Sequence, residues 1–153
     1  MRVGNKLLNG RDSKVAKSIQ KYADAILNGY FVAIDPASKE AGYAVFKDGE
    51  LISNGEIIAE GGISERLRIM IESLDEFPEP QVVAVEMVGG QMMSHKYLIW
   101  SCGALVGTLN APTTIEIPVP MWKKWIDENY TKTNINDALY IGKCVIEIAK
   151  AVE

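Results

Sequence analysis

The sequence predicts an α/β domain: a mixed five-stranded sheet flanked by helices, with an extra helix ahead of the first strand. Three observations lead there. Short apolar runs rich in strand formers alternate with stretches of helical periodicity. The first three runs follow one another closely, and an Asp-Gly turn joins two of them, as in an antiparallel meander. The later runs are separated by helices, the order that produces right-handed strand–helix–strand crossovers.

The elements follow in chain order. Asp12-Ser13 is a helix N-cap signal, and Val15, Ile19, Tyr22, Ala23, Ile26 and Leu27 recur at helical spacing until Gly29 closes the helix. Tyr30 to Ile34 is a short apolar strand ending at Asp35. Ala41 to Phe46 and Leu51 to Ile58 read as the second and third strands, joined at Lys47-Asp48-Gly49-Glu50. Ile63, Leu67, Met70, Ile71 and Leu74 mark an amphipathic helix, ended by Pro78 and Pro80. Gln81 to Val85 is a continuous apolar run, as buried parallel strands are, and it ends at Glu86. A helix is expected from about Met92 to Asn110, then a fifth strand at Ile115-Glu116-Ile117. A short helix from Pro120 carries Trp122 and Trp125, and a last helix runs from about Asn134 to Val152.

The chain has 153 residues, enough for one domain with a sizeable core. Residues 1–153 are therefore read as one domain, with 1–29 as a basic helical extension. No apolar run has the roughly 18 residues of a membrane span. The N-terminus shows no secretory pattern. The two cysteines, Cys102 and Cys144, lie in helix-like apolar stretches and read as buried free thiols. These features point to a cytoplasmic protein with no membrane partner. The net charge of −4 is unevenly spread: residues 1–21 carry +5 and the rest −9. Lys14, Lys17 and Lys21 fall on one helical face, which suits phosphate tracking and equally suits a solvated surface.

Asp35 and Glu86 each immediately follow an apolar strand, where open α/β sheets gather their functional groups. Asp137, in the first turn of the final helix, can reach the same edge. Converging carboxylates repel, and a hard divalent cation with oxygen ligands relieves that repulsion. Two such ions about 4 Å apart suffice for phosphodiester hydrolysis. The single histidine, His95, argues against histidine-rich zinc chemistry. Each acid also has a plainer reading: Asp35-Pro36 as a turn, Glu86 as a solvated strand end, Asp137 as a helix-capping group.

Asp35-Pro36-Ala37-Ser38, a short gap and Gly42-Tyr43 resemble the first motif of RuvC-type Holliday-junction resolvases of the RNase H-like superfamily. Val83-Ala84-Val85-Glu86 resembles the second motif, and Asn136-Asp137-Ala138-Leu139 the end of the last. Pro120 to Lys124 is similar to the segment bearing a DNA-contacting lysine. The resemblance covers roughly residues 30–152. It implies a homodimeric endonuclease that nicks four-way and other branched DNA in pairs. Two magnesium ions (or manganese) would be held by Asp35, Glu86 and Asp137, and Lys123 would contact the DNA backbone, with Lys124 beside it. The chain has the size of phage-type resolvases, which would work in the host cytoplasm. Met92 to Leu109 would supply the dimer interface.

The match has departures. Ala37 replaces a glycine, and Asn134 stands where a fourth acid is expected, making it a weaker metal ligand. Gly89-Gly90 occupy the loop that carries a bulky junction wedge, a role open to Met92, Met93 or Tyr97. A longer basic insert before the last motif is missing, and Lys132 is its candidate replacement. An alternative is therefore a weakened or inactive module that binds branched DNA or a protein partner. A sugar-kinase-like phosphotransferase shares the meander, but needs two domains and a second phosphate loop.

Overall fold

The structure, a computed structural model, describes residues 1–88 and 96–151. Two short strands, β1 (Arg2–Val3) and β2 (Lys6–Leu7), pair antiparallel at the start of the chain. Helices α1 (Gly10–Lys21) and α2 (Ala23–Leu27) follow. Strands β3 (Tyr30–Asp35), β4 (Glu40–Lys47) and β5 (Glu50–Ile58) lead to α3 (Ile63–Ser73). Then come β6 (Val82–Glu86), α4 (Lys96–Leu109), β7 (Thr113–Ile117), α5 (Val119–Trp122), a 3-10 turn (Lys123–Trp125) and α6 (Asn134–Lys150). The main sheet has the order β5-β4-β3-β6-β7. The first three strands are mutually antiparallel, whereas β6 and β7 run parallel to β3. This is the mixed five-stranded sheet the alternation predicted.

Helices cover both faces, and the strand period of two assigns each side chain to one of them. Phe31 and Ala33 of β3 join Ala44, Phe46, Val82, Ala84, Ile115 and Ile117 against α1, α2 and α6. Val32 and Ile34 join Val45, Val83 and Val85 against α3 and α4, through Met70, Leu74, Leu105 and Leu109. Strands buried on both faces read as continuous apolar runs, which is why β3 and β6 stand out in the sequence. Asp48 and Gly49, both at positive φ, form the expected tight turn between β4 and β5. No helix of the described residues is long and apolar enough to cross a membrane.

The N-terminal reading needs correction. Asn9, not Asp12-Ser13, occupies the N-cap position, and the helix starts at Gly10. The Ser13 hydroxyl instead donates to the Leu8 carbonyl at 2.8 Å, and Asp12 is buried beside Arg11. The helix also breaks at Tyr22, and α2 ends at Asn28, whose side chain donates to Asp24 at 2.7 Å. Gly29 lacks positive φ and does not act as the cap. Helix α1 docks on the sheet face through Ala16 and Ile19, which leaves Lys14, Lys17 and Lys21 exposed on its outer side. The expected start of the fourth helix at Met92, and its possible wedge residues Met92 and Met93, lie outside the described residues. Both cysteines are free, Cys144 buried and Cys102 half-buried.

Candidate active site

Strand register brings the first two acids together. Ile34 of β3 pairs with Val85 of the parallel strand β6, so Asp35 and Glu86 are the next residues on adjacent strands. Side-chain alternation turns both toward the face covered by α6, because Ala33 and Ala84 lie on that face. Asp35 is only 5% exposed. Its carboxyl is pushed up to about 9, chiefly by burial, then by a hydrogen bond with Glu86 and by the negative charges of Glu86 and Asp137. Without a metal ion, the Asp35–Glu86 pair therefore favours one protonated carboxyl at neutral pH.

The third acid arrives by a close approach of backbone. Gly42 of β4 lies directly opposite Asp35. A Cβ at Gly42 would meet the Asn134 carbonyl oxygen at 1.8 Å and its carbon at 2.3 Å. The first turn of α6 thus rests on bare backbone beside Asp35. Farther along, Gly142 lets α6 sit against the Phe46 ring in the same way. Asp137 does not cap the helix: Thr133 does, its side chain accepting from the Asn136 amide at 3.0 Å. Asp137 is left to face the other two acids, and its charge is felt at Asp35.

Two aromatic side chains to which the sequence reading gave no role hold these carboxylates. The Trp122 indole, almost fully buried, donates to Glu86 Oε1 at 3.2 Å. The Tyr130 hydroxyl donates to Asp137 Oδ1. Burial, that hydrogen bond and the charges of all three acids push the Tyr130 hydroxyl well above the usual phenol range. The rings of Trp122 and Tyr130 lie 6.4 Å apart, and Tyr130 meets Tyr140 edge-on at 5.2 Å. The only hint in the sequence is the density of aromatics between positions 122 and 140. Such outer partners fix the rotamers of ligating carboxylates. Tyr130→Phe is expected to weaken divalent-cation affinity by roughly 10- to 100-fold, with little loss of fold. A magnesium titration of the melting temperature measures it.

Asn134 points its amide at Glu40 Oε2, 3.4 Å away. The position expected to carry a fourth acid is therefore a donor to an acid from β4. Among the described residues, no three acidic, histidine or cysteine side chains enclose a common point as they stand. Burial and mutual repulsion favour protonation of the Asp35–Glu86 pair, and Tyr130 holds Asp137. The donor set is nevertheless all oxygen and in excess of negative charge, which fits a hard divalent cation better than zinc.

The predicted DNA-contacting residues are more scattered. Lys123 and Lys124 are exposed immediately beyond Trp122, and Lys132 is exposed in the loop before α6. These three lie on segments adjoining the acidic centre. Lys14, Lys17 and Lys21 form an exposed row on α1 rather than part of the acid cluster. Tyr97 is exposed at the start of α4.

No protein-family model matches this sequence, and no curated protein matches it either. Solved structures do match. The structure of Thermus thermophilus RuvC in complex with Holliday junction substrate superposes with a TM-score of 0.62 at 18% identity, over 80% of this chain and 96% of that one. A second Thermus thermophilus RuvC structure gives 0.60 at 18% identity, over 79% and 95%. The chain has the RuvC fold, an RNase H-like sheet flanked by helices.

Proposed function

We propose that the chain is a metal-dependent endonuclease that resolves four-way and related branched DNA junctions by paired nicking. The observation that carries this reading is the side-by-side placement of Asp35 and Glu86 on adjacent strands, with the charge of Asp137 felt at Asp35, in the fold that RuvC shares. Asp35, Glu86 and Asp137 would hold magnesium or manganese, with Asn134 as a weak neutral ligand. Two such ions, when bound, supply a water activated for attack and charge stabilisation of the leaving oxygen. The chain's own residues do the rest. Asp35 gives up its proton, and Trp122 and Tyr130 keep Glu86 and Asp137 oriented. Lys123, Lys124 and Lys132 would steer the backbone of the cut strand, and Lys14, Lys17 and Lys21 an outlying arm. Tyr97 would press on the junction. Paired nicking requires two centres and hence a homodimer, for which α4 offers exposed Ile99 and Trp100. The compartment would be cytoplasmic.

The direct test is cleavage of a synthetic four-way junction. Magnesium-dependent nicking is expected, lost in Asp35→Asn. Intact junctions and flaps under both magnesium and manganese would sink the enzyme reading.

A second reading, a junction-binding module with weak or no cutting, is favoured by one observation: Asn134 serves as a donor to Glu40 instead of adding a carboxylate. Asn134→Asp separates the two. A crippled enzyme gains cleavage, by on the order of tenfold. A dedicated binder stays inactive with unchanged junction affinity.

A further inference from the structure

Arg66, in the second turn of α3, is 8% exposed and sits behind the loop that follows Asp35. The main chain places it there: the Ala59 amide donates to the Lys39 carbonyl at 2.7 Å, so the segment entering α3 is tied to the start of β4. One guanidinium nitrogen donates to the Ser38 carbonyl at 3.0 Å. The buried Nε has no partner among the described residues. The guanidinium lies over the Tyr97 ring at 5.5 Å, and the Lys96 ammonium lies over the same ring at 5.1 Å. Among the described residues, neither cation takes part in an ion pair.

A buried guanidinium with no carboxylate among the described residues is costly, and Lys96 brings a second positive charge to the same ring. An anion at this point relieves both. The planar fork of arginine matches the oxygens of a phosphate, and among the described residues Arg66 makes one hydrogen bond, to Ser38. We infer that Arg66 and Lys96, gathered around the Tyr97 ring, form a phosphate-binding subsite for a backbone phosphodiester of the DNA strand that passes the acidic centre. Ser38 ties the subsite to the centre, since its carbonyl is three residues beyond Asp35. Tyr97 acts as the platform that holds both cations. This inference rests on the nuclease reading for its ligand.

Anisotropy of a labelled four-way junction, measured in EDTA across a potassium chloride series, tests it. Arg66→Met and Lys96→Met are each expected to weaken binding several-fold. Each is expected to reduce the slope of log affinity against log salt by about 1. Arg66→Lys keeps the charge and the slope. Lys150→Met, at the far end of α6, leaves the slope unchanged. A lowered melting temperature in Arg66→Met with no change in slope would mean that Arg66 only staples the 36–39 loop, and the inference falls. Lys96 is exposed and does not bear on folding, so an unchanged slope in Lys96→Met overturns the subsite even if Arg66→Met does not fold. If the native chain binds no DNA at all, the nuclease reading fails and takes the subsite with it. If it binds DNA and neither variant differs, only the subsite fails.

Discussion

Gly42→Ala is expected to abolish metal-dependent cleavage and to lower the melting temperature by roughly 6–12 °C, corresponding to about 3 kcal/mol for a chain of this size. The reason is steric and local. The new methyl would meet backbone atoms, the Asn134 carbonyl oxygen at 1.8 Å and its carbon at 2.3 Å. A side chain could rotate away, but a helix turn cannot. The first turn of α6 must lift from β4, and Asp137 is carried away from Asp35, which Gly42 faces across the strand pair. Loss of function should exceed loss of stability, because even a small displacement at the acids undoes shared ligation. Gly107→Ala is the control. A Cβ there meets nothing within 4 Å, and alanine in a helix interior should stabilise by up to about 1 kcal/mol. Thermal melts and junction nicking on the same samples decide the matter. A Gly42→Ala protein that melts and cuts like the native chain would refute the close-approach account.

Asp35→Asn is expected to stabilise the metal-free protein while destroying its activity. The folded chain holds a proton on Asp35 up to about pH 9, whereas the unfolded chain releases it near the ordinary value of 3.8. Between those values the folded state binds more protons than the unfolded one. Stability attributable to Asp35 is therefore full below about pH 4 and falls as pH rises toward 9. Asparagine fills the same space without a charge to desolvate. At pH 8 in EDTA the substitution should raise the melting temperature by roughly 4–8 °C, a gain of about 2 kcal/mol, and near pH 4 the difference should vanish. On the proposed metal site, magnesium should reverse the order, since it would bind the folded native chain and not the variant. Its stabilising effect should grow with pH, because the cation must displace the proton between Asp35 and Glu86. A variant no more stable than the native chain at pH 8 without metal would contradict the burial assigned to this carboxyl.

The fold was largely legible in the residues. Strands β3 and β6 announce themselves as unbroken apolar runs because both faces of the sheet are covered, and the Asp48-Gly49 turn fixes the β4–β5 hairpin. Strand-end position pointed to Asp35 and Glu86. The sequence alone could not supply their relative register, which is set by the Ile34–Val85 pairing and decides that both carboxylates share a face. The β1–β2 ribbon escaped because two-residue strands carry no periodic signal. The break at Tyr22 escaped because apolar spacing continues through it. Trp122, Tyr130 and Arg66 escaped for a common reason. Their roles depend on which atom a polar group reaches, and nothing local in the chain encodes a partner such as Glu86, Asp137 or Ser38.

The three acids are delivered by elements that lie far apart in the chain, with α6 following all five strands of the main sheet. Contacts of this kind form late, since the chain must close long loops before they are rewarded. During synthesis, Asp35 and Glu86 leave the ribosome well ahead of Asp137, and domains fold as their segments appear. A nascent chain that has formed its sheet but not yet docked α6 has only two of the acids and an open edge over Gly42. If the chain cuts DNA as proposed, that competence would be withheld until α6 docks. On the proposed function, the order of the elements would act as a timer on activity.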